Sequence, residues 1–588
     1  MAMKVENVKT KSPDHLGLVS ALVFNLKIVE EIDARIPVTD RSHVSIGQRV
    51  LAMILNGLGF TNERLYLVPE FFKNKPVDIL IGPGVMPEHL NDDCLGRALD
   101  VIYEYGTTKL FSEIAFSIAI SKNLMGKYNH LDTTSLSLFG NYIQDDIDHE
   151  GGPPGFDSDE TPDSLSNAIQ DALLSDSKNT PVLITYGHSK DHRPDLKQVV
   201  LSMVTTGAAG IPVFMEALDG NNSDKVSFHN TIDKIYCFRK ELTSAPKFNL
   251  VADSALYTKD KLLNCKNNLV WITRVPATIG DAKAVMEMSE DKFEWTDIGS
   301  GCQLASFCSI YGGIQQRWLL IFSQQAYERE ILKFEENLLK KEESIEKEIR
   351  TFGNLEFNCK EDAYKALIKI SKKWKFHFLY DIEVEEILKF EGKGRPKKDE
   401  LPISKGYKLK CKISRNELAV QLMRNSKGRF ILATNDMDLN EGGDYKVPDI
   451  EIFSEYKAQS QVEGGFRFLK DPWFMVDSVF LKKPERIEAL MMIMTLTLLV
   501  YNIGQYELRE TLKKNADSIP NQVGKQIQSP TLRWVFQLMQ GIHVVDISIP
   551  NTDSFPEKIV TNITEVIDKI IRCFGKYAIR IYELPIIS

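Results

Sequence analysis

Short β-rich runs, separated by turn residues, follow one another between Asn129 and Pro276 and restrict the fold of this chain more than any other feature. Helix-like stretches lie among them, near Ser223 to Leu242 and Thr258 to Cys265. Runs of this length, rich in β-branched residues and bounded by Gly, Asn and Asp, are typical of strands. The six runs are NHLDTTSLSLFG, PVLITYG, LKQVVLSMVTT, IPVFMEALDG, FNLVADSAL and NLVWITRVP. Their alternation with helices predicts an α/β domain.

A chain of 588 residues is too long for a single hydrophobic core, so several substructures are expected. A charged helix is predicted around Gln324 to Arg350, and a basic segment from about Lys360 to Ser414 interrupts the α/β pattern as an insertion. The predicted domains are a helical N-terminal domain over 1–125 that could bind DNA ends, the first part of a catalytic core over 126–290, an inserted helical and β domain over 291–445, the end of the core over 446–510, and a C-terminal region over 511–588 suited to dimerisation.

The N-terminal region contains a recognisable helix start. Ser45 and Gln48 are spaced as a capping box, and Gly59 offers a stop after RVLAMILNGL. A second amphipathic stretch begins near Asn62, so the pair has the spacing of a helix-turn-helix motif. Two short helices that only pack together are the alternative.

The net charge of −9, from 72 basic and 81 acidic residues, gives no general attraction to nucleic acid, so any DNA-binding surface must be local. Eight cysteines without a Cys-x-x-Cys pair disfavour a zinc ribbon and a disulfide framework, which predicts a cytoplasmic protein. The longest apolar run, Ala489 to Ile503, is shorter than a bilayer requires, so a buried core helix and no membrane association are expected.

Two aspartates lie where strands could bring them together. Asp132 is inside the first predicted strand, and Asp253 ends a later one in LVADSAL. Carboxylates that emerge from one sheet could bind a divalent cation such as Mg²⁺, which prefers oxygen ligands. A strand-end cap is the alternative for either residue.

A third acid stands in SEYKAQSQVEGGFRFLKDPW. Steps of three or four residues would place five polar side chains on one helical stripe: Tyr456, Gln459, Glu463, Arg467 and Lys470. Beside this stripe is an apolar one that can pack on a sheet: Val462, Phe466 and Leu469. An acid flanked by cations suits a phosphate-handling site, whereas a solvated face with weak ion pairs is the alternative. Gly464 and Gly465 would let the helix backbone approach another element closely.

With these motifs in this order, the sequence resembles bacterial insertion-sequence transposases, which have a ribonuclease-H-like core, an Asp-Asp-Glu triad and a Tyr-x2-Arg-x3-Glu-x6-Lys signature. The spacing is intact here, but Gln459 stands where the family has Arg, which removes a charge. The resemblance implies an α/β, ribonuclease-H-like core, a mixed sheet flanked by helices, with an inserted domain before the last acid. It also implies that Asp132, Asp253 and Glu463 are catalytic and bind metal, Mg²⁺ or Mn²⁺ in its place.

Further DNA contacts are expected from two basic segments. GHSKDHRPDLKQ carries His188, Lys190 and Arg193 in a polar turn that could meet the DNA backbone, or could be a solvated hairpin tip. Arg395 lies between Gly394 and Pro396 among lysines, as in a minor-groove hook, although a flexible basic loop is the alternative. Together with Tyr456, Gln459, Arg467 and Lys470, these residues form the expected DNA-binding set.

The predicted function is cleavage and joining of double-stranded DNA at the terminal inverted repeats of a mobile element. The expected partners are those repeats and a target DNA, with a homodimer holding two ends in the bacterial cytoplasm, at the nucleoid. Two alternatives remain: a DNA-binding protein without catalysis, and a metal-dependent nuclease that cuts without joining.

Overall fold

The computed structural model describes residues 7–37, 43–60, 65–140, 142, 180–222, 231–232, 234–235, 248–264, 269–389, 401, 404–471, 481–548 and 557–584. The chain divides into two compact units. Unit 1 comprises Met1–Leu256, Asn264–Trp271 and Ser454–Ser588, and unit 2 comprises Tyr257–Leu263 and Ile272–Phe453.

The described helices are numbered in chain order: α1 (Leu16–Asn25), α2 (Ile28–Arg35), α3 (Ile46–Gly57), α4 (Val68–Phe72), α5 (Val77–Leu80), α6 (Asp92–Tyr105), α7 (Thr107–Ser121), α8 (Lys259–Asn264), α9 (Gly280–Glu287), α10 (Gln324–Gly353), α11 (Lys360–Ser371), α12 (Glu417–Asn425), α13 (Asp449–Ala458), α14 (Ser460–Leu469), α15 (Pro484–Lys514), α16 (Leu532–Leu538), α17 (Glu565–Cys573) and α18 (Gly575–Ile581).

The described strands are β1 (Asn7–Lys11), β2 (Tyr128–Leu138), β3 (Lys197–Thr206), β4 (Ile211–Leu218), β5 (Phe248–Ala252), β6 (Leu269–Arg274), β7 (Thr296–Gly299), β8 (Cys302–Tyr311), β9 (Ile314–Ser323), β10 (His377–Lys389), β11 (Ser404–Arg415), β12 (Arg429–Thr434), β13 (Ile519–Pro520), β14 (Gln526–Ile527), β15 (His543–Ser548) and β16 (Glu557–Thr561).

The main sheet of unit 1 is mixed, with the strand order β4-β3-β2-β5 followed by residues 269–271 of β6. β2 pairs antiparallel with β3 and parallel with β5, and β3 pairs antiparallel with β4. β3 is buried along nearly its whole length, as expected of a Val-rich central strand covered on both faces. Helices α7 and α15 contact β4, and α14 contacts β2 and β3. The α/β architecture with a mixed sheet flanked by helices is therefore observed.

The predicted capping box is present at the start of α3. The Ser45 hydroxyl accepts from the Gln48 amide at 3.2 Å, and the Gln48 side chain accepts from the Ser45 amide at 3.0 Å. The rest of α3 is buried, including Arg49, which is only 1% exposed. A helix that is buried on nearly all sides is a packing element, which is the alternative considered for α3, and DNA contact by the pair stays a prediction. Asn62 lies outside the described residues, and the short α4 follows.

Helix α15 contains the apolar run that was predicted to be a core helix. It is long and apolar enough to cross a membrane by composition alone, but 78% of its most apolar window is buried inside the protein. Its buried side chains include Met491 to Val500. The prediction of a core helix is confirmed.

A separate sheet of unit 1 joins distant parts of the chain. β15 lies between β1 and β16 and pairs antiparallel with both, so that Lys11 lies opposite Val544. Near this sheet the Asp14 carboxylate accepts from Lys75 at 2.8 Å and from the Gly541 amide at 2.9 Å. The Tyr582 hydroxyl donates to the Asp14 carbonyl. Residues near the two ends of the sequence thus hold each other in place.

Unit 2 has an antiparallel sheet in the order β12-β9-β8-β7, with residues 272–274 of β6 paired to β12. The long helix α10 matches the one predicted around Gln324 to Arg350, and it buries Leu338, Ile345 and Phe352. β10 and β11 form a hairpin whose Leu409 packs with Phe352 and helix α11 in a small core. The basic segment between these strands, 390–400, lies outside the described residues.

One predicted strand is not formed in the structure, and one predicted helix cannot be compared with it. PVLITYG was predicted to be a strand, but residues 180–189 carry only an isolated bridge between Thr185 and Gln198. The side-chain amide of Gln198 also donates to the Gly220 carbonyl at 2.7 Å. The helix predicted near Ser223 to Leu242 falls almost entirely outside the described residues. The other predicted strands are observed as β2, β3, β4, β5 and β6.

Candidate active site and DNA interface

Asp132 and Asp253 are brought together by the pairing of two parallel strands. In the register of β2 and β5, Leu131 lies opposite Ala252, and Asp132 and Asp253 are the next residues of each chain segment. Neighbouring strands are about 4.8 Å apart, so the two carboxylates belong to one small region of the sheet. Both side chains are half-buried. The structure thus places the two predicted aspartates side by side.

Each aspartate also has a local hydrogen bond. The Asp132 carboxylate accepts from the Thr133 amide at 2.7 Å, and the Asp253 carboxylate accepts from the Ala255 amide at 2.9 Å. The second contact closes the turn that ends β5, which is the strand-end role considered for Asp253. A carboxylate has two oxygens and several lone pairs, so a local hydrogen bond and a further ligand are compatible.

The segment with the third acid is interrupted where one continuous helix was predicted. Tyr456 is on α13, and Gln459 stands between the two helices at the N-cap position of α14. The Gln459 backbone keeps helical angles, with φ −55° and ψ −25°, and its side chain is buried. Arg467 is exposed on α14, and Lys470 is the C-cap residue. The single five-residue stripe is therefore divided, and Gln459 faces the protein interior.

Glu463 is exposed in the first turn of α14. Among the described residues, which include all three predicted acids, no three His, Cys, Asp or Glu side chains are grouped so that they could hold a metal ion. Asp132 and Asp253 are a partial oxygen donor set of the kind that Mg²⁺ prefers. Glu463 is not grouped with them, so the three acids as arranged do not fit a metal ion as one set.

Helix α14 is seated on the sheet by its apolar side, as predicted. Val462, Phe466 and Leu469 are buried. A Cβ atom added at Gly465 would lie 3.0 Å from Leu498 Cδ2 and 3.2 Å from Met203 Cε, whereas at Gly464 it would meet nothing within 4 Å. The close approach expected of both glycines is thus real at Gly465 and absent at Gly464.

The polar turn over 188–196, called the 188–196 turn below, lies against the strand that carries Asp132. The Lys190 ammonium donates to the Thr133 carbonyl at 2.7 Å and to the Thr133 hydroxyl at 2.8 Å. The Lys190 amide donates to the Ser135 hydroxyl at 2.9 Å. His188 is exposed, and Arg395 lies outside the described residues. Lys190, predicted to meet DNA, therefore anchors the turn next to Asp132.

A cavity of about 330 Å³ opens beside this turn, within unit 1. Its polar lining comes from Ser137, Asp191, Arg193 and Lys470. The other lining residues are apolar: Leu136, Leu138, Phe139, Leu196, Val199, Leu469, Ile487, Leu490, Met491 and Met494. The Arg193 guanidinium lies 5.6 Å from the centre of the Phe139 ring, a cation–π distance. The structure therefore brings together two of the predicted DNA-binding cations, Arg193 and Lys470.

A buried acid lies on α15. The Glu488 carboxylate accepts from the Val182 amide at 2.7 Å. Burial raises the pKa of the Glu488 carboxyl to about 7, against the opposing effect of that hydrogen bond, and the neighbouring carboxylates Glu485, Asp219 and Glu216 raise it further. This group therefore changes charge near neutral pH.

Sequence reasoning missed two residues near Asp132. The His130 ring is buried, and its Nε2 atom lies 3.6 Å from the Glu455 carboxylate on α13. Alternation along β2 puts His130 on the same sheet face as Asp132, a signal that was available from the sequence. The partner Glu455 was not available, because the two residues are far apart in the chain.

Comparisons with known proteins give limited additional information. Residues 8–116 match the model of a domain of unknown function (DUF4277). No curated protein matches the sequence. Among solved structures, the chain is similar to the piggyBac transposase synaptic complex with hairpin DNA, solved by cryo-electron microscopy, with a TM-score of 0.36 and 10% sequence identity over 97% of this chain and 83% of that one. A TM-score this low supports no conclusion about this chain.

Proposed function

We propose that this chain is a transposase that cuts double-stranded DNA at the terminal inverted repeats of a mobile element and joins the ends to a target. The observation that carries the proposal is the adjacency of Asp132 and Asp253 on parallel strands β2 and β5. Paired carboxylates on one sheet are suited to phosphoryl transfer on a diester. Lys470 and Arg193, which line the cavity beside the 188–196 turn, would contact the DNA backbone once released from their acidic partners.

The finer features of the proposal follow the resemblance of the sequence. They are a core of the ribonuclease-H-like type, Glu463 as the third acid, Mg²⁺ or Mn²⁺ at the acids, action as a homodimer that holds two DNA ends, and a cytoplasmic location in a bacterium. The mixed sheet and the seating of α14 on β2 and β3 support the core type. Asp132 and Asp253 would hold the metal, which would supply charge at the reacting phosphate, and Glu463 would have to move towards them to act as the third acid.

The test uses labelled duplexes from the DNA on either side of the coding sequence, incubated with Mg²⁺. We expect the wild type to cut them and to produce joined products. Asp132→Asn and Asp253→Asn should bind the same duplexes and lose cutting by at least about a hundredfold, the scale of losing one group that acts only in the transition state. Asp297→Asn, an exposed aspartate of unit 2, is the matched control.

A second candidate function is favoured by the separation of Glu463 from the two aspartates among the described residues. A DNA-binding protein without catalysis would not need its three acids to be clustered. Binding by the wild type and by all variants, with no cutting by any, would establish this candidate. Cut ends without joined products would instead indicate a nuclease. If Glu463→Ala cuts as well as the wild type, Glu463 is not the third acid.

A further inference from the structure

Both cations on the rim of the cavity are paired with acids of the 188–196 turn. Lys470 Nζ lies 2.6 Å from an oxygen of Asp191, and their side chains are 24% and 32% exposed. Arg193 makes a two-pronged pair with Asp195, at 2.9 Å and 2.8 Å. The four charges cancel, so this rim offers little net attraction to a polyanion as long as both pairs are formed.

The carboxylate of Asp191 stands where an anionic oxygen of another molecule could bind Lys470. A lysine ammonium is a compact charge that accepts a carboxylate or a phosphate oxygen equally well. The pair joins residues 279 positions apart and links the turn to the end of α14. Unlike the Arg193–Asp195 pair, which is internal to the turn, it joins two elements that both line the cavity.

The backbone of the turn is fixed independently of this ion pair. The Ser189 hydroxyl accepts from the amides of Asp191 at 3.3 Å and Arg193 at 3.1 Å. Lys190 holds the turn to Thr133 and Ser135 of β2. Rotation of the Asp191 side chain alone can therefore release Lys470, without unfolding the turn. A partly exposed pair of this kind is weak enough for a polyanion to displace.

We propose that Asp191 is an internal competitor that occupies the phosphate-binding position at Lys470, and that a DNA phosphodiester displaces it on binding. The inference rests on the proposed function only in taking DNA as the ligand. The Asp191–Lys470 pair then lowers the net affinity for DNA, since DNA gains the Lys470 contact only by replacing an existing one. Neutralising Asp191 should therefore strengthen binding, and only while Lys470 is present.

The experiment measures the affinity of the full chain for a fluorescent, mixed-sequence DNA duplex over a series of KCl concentrations. We expect Asp191→Asn to bind about two- to fivefold more tightly than the wild type, the range that a partly exposed ion pair supports. The salt dependence of log affinity should steepen by up to about 0.9, the value for one additional phosphate contact. In a Lys470→Gln background, Asp191→Asn should change neither quantity.

The matched control is Glu510→Gln, which removes one negative charge from another exposed pair of unit 1, the one that Glu510 forms with Lys513 at 2.8 Å. If Asp191→Asn binds no more tightly than Glu510→Gln, or tightens binding equally without Lys470, Asp191 is not a competitor. Weaker binding by Asp191→Asn would also overturn the inference. Tighter binding by a protein that never cuts DNA would leave the inference standing and refute the proposed function. Cutting without tighter binding would refute the inference and leave the proposed function standing. No binding of the mixed-sequence duplex by any variant would refute the inference alone.

Discussion

At the scale of single residues, the aspartates of unit 1 have roles set by their nearest donors. Asp253 closes a turn through the Ala255 amide, Asp132 accepts from the amide next to it, and Asp191 binds a lysine of another element. The sequence identifies Asp132 and Asp253 as candidates because both lie in strand-like runs. It cannot identify the Asp191–Lys470 pair, because a separation of 279 residues leaves no periodic signal.

Glu488 predicts a pH dependence of stability. Its pKa in the folded chain is about 7, against an ordinary value of 4.5, so the folded state binds this proton more tightly than the unfolded state does. Protonation of Glu488 therefore adds up to about 3 kcal/mol to the free energy of unfolding. This contribution is complete below pH 4.5 and is lost as the pH rises to about 7. Glu488→Gln keeps an oxygen for the Val182 amide and should flatten this dependence in thermal unfolding measured from about pH 4 to about pH 8, a range that spans both pKa values.

Glu510→Gln, on the same helix but exposed, is the control and should leave the wild-type slope unchanged. Parallel pH profiles for the wild type and Glu488→Gln would show that the buried carboxyl does not control stability in this range.

At the scale of elements, substitutions at the two adjacent glycines of α14 allow the effect of helix propensity to be measured apart from the effect of packing. Gly464→Ala should stabilise the protein by up to about 1 kcal/mol, because alanine favours the helix and the added methyl group meets open space. Gly465→Ala gains the same propensity but forces Leu498 and Met203 to move, so its melting temperature should be lower than that of Gly464→Ala.

Each of these glycine variants is the other's matched control, since both make the same chemical change one residue apart. If the proposed function holds with Glu463 as the third acid, DNA cutting should also fall for Gly465→Ala, because lifting α14 from β2 and β3 shifts Glu463. Equal melting temperatures and equal cutting by the two variants would contradict the close approach at Gly465.

Elements were predictable where one local rule dominates. The Ser45 capping box, the core helix α15 and the strand pattern of β2 to β6 follow from spacing and hydrophobicity alone. PVLITYG was misjudged because its apolar residues Val182 and Ile184 are buried within unit 1 without a regular ladder. The break at Gln459 was also missed, since periodicity continues across it and the backbone angles stay nearly helical.

At the scale of the whole molecule, the pairing of β1 with β15 predicts a dependence of unit 1 on its first strand. Deleting residues 1–11 removes β1 and exposes the edge of β15, where unpaired amide and carbonyl groups favour aggregation. We expect a lower melting temperature and more light scattering on heating. Lys9→Ala, an exposed change within β1 that leaves its backbone intact, is the control. Unchanged melting of the deletion variant would show that β1 is dispensable.

Unit 1 is assembled from segments on both sides of unit 2, and this has a consequence for synthesis on the ribosome. Asp253 is made 210 residues before Glu463, which is a delay of about 10–40 s at usual elongation rates. During that interval β2 and β3 exist without the helix that covers them, while unit 2 can already fold. The nascent chain therefore carries both aspartates before the helix with Glu463 has been made, so unit 1 can complete its fold only after unit 2 has left the ribosome.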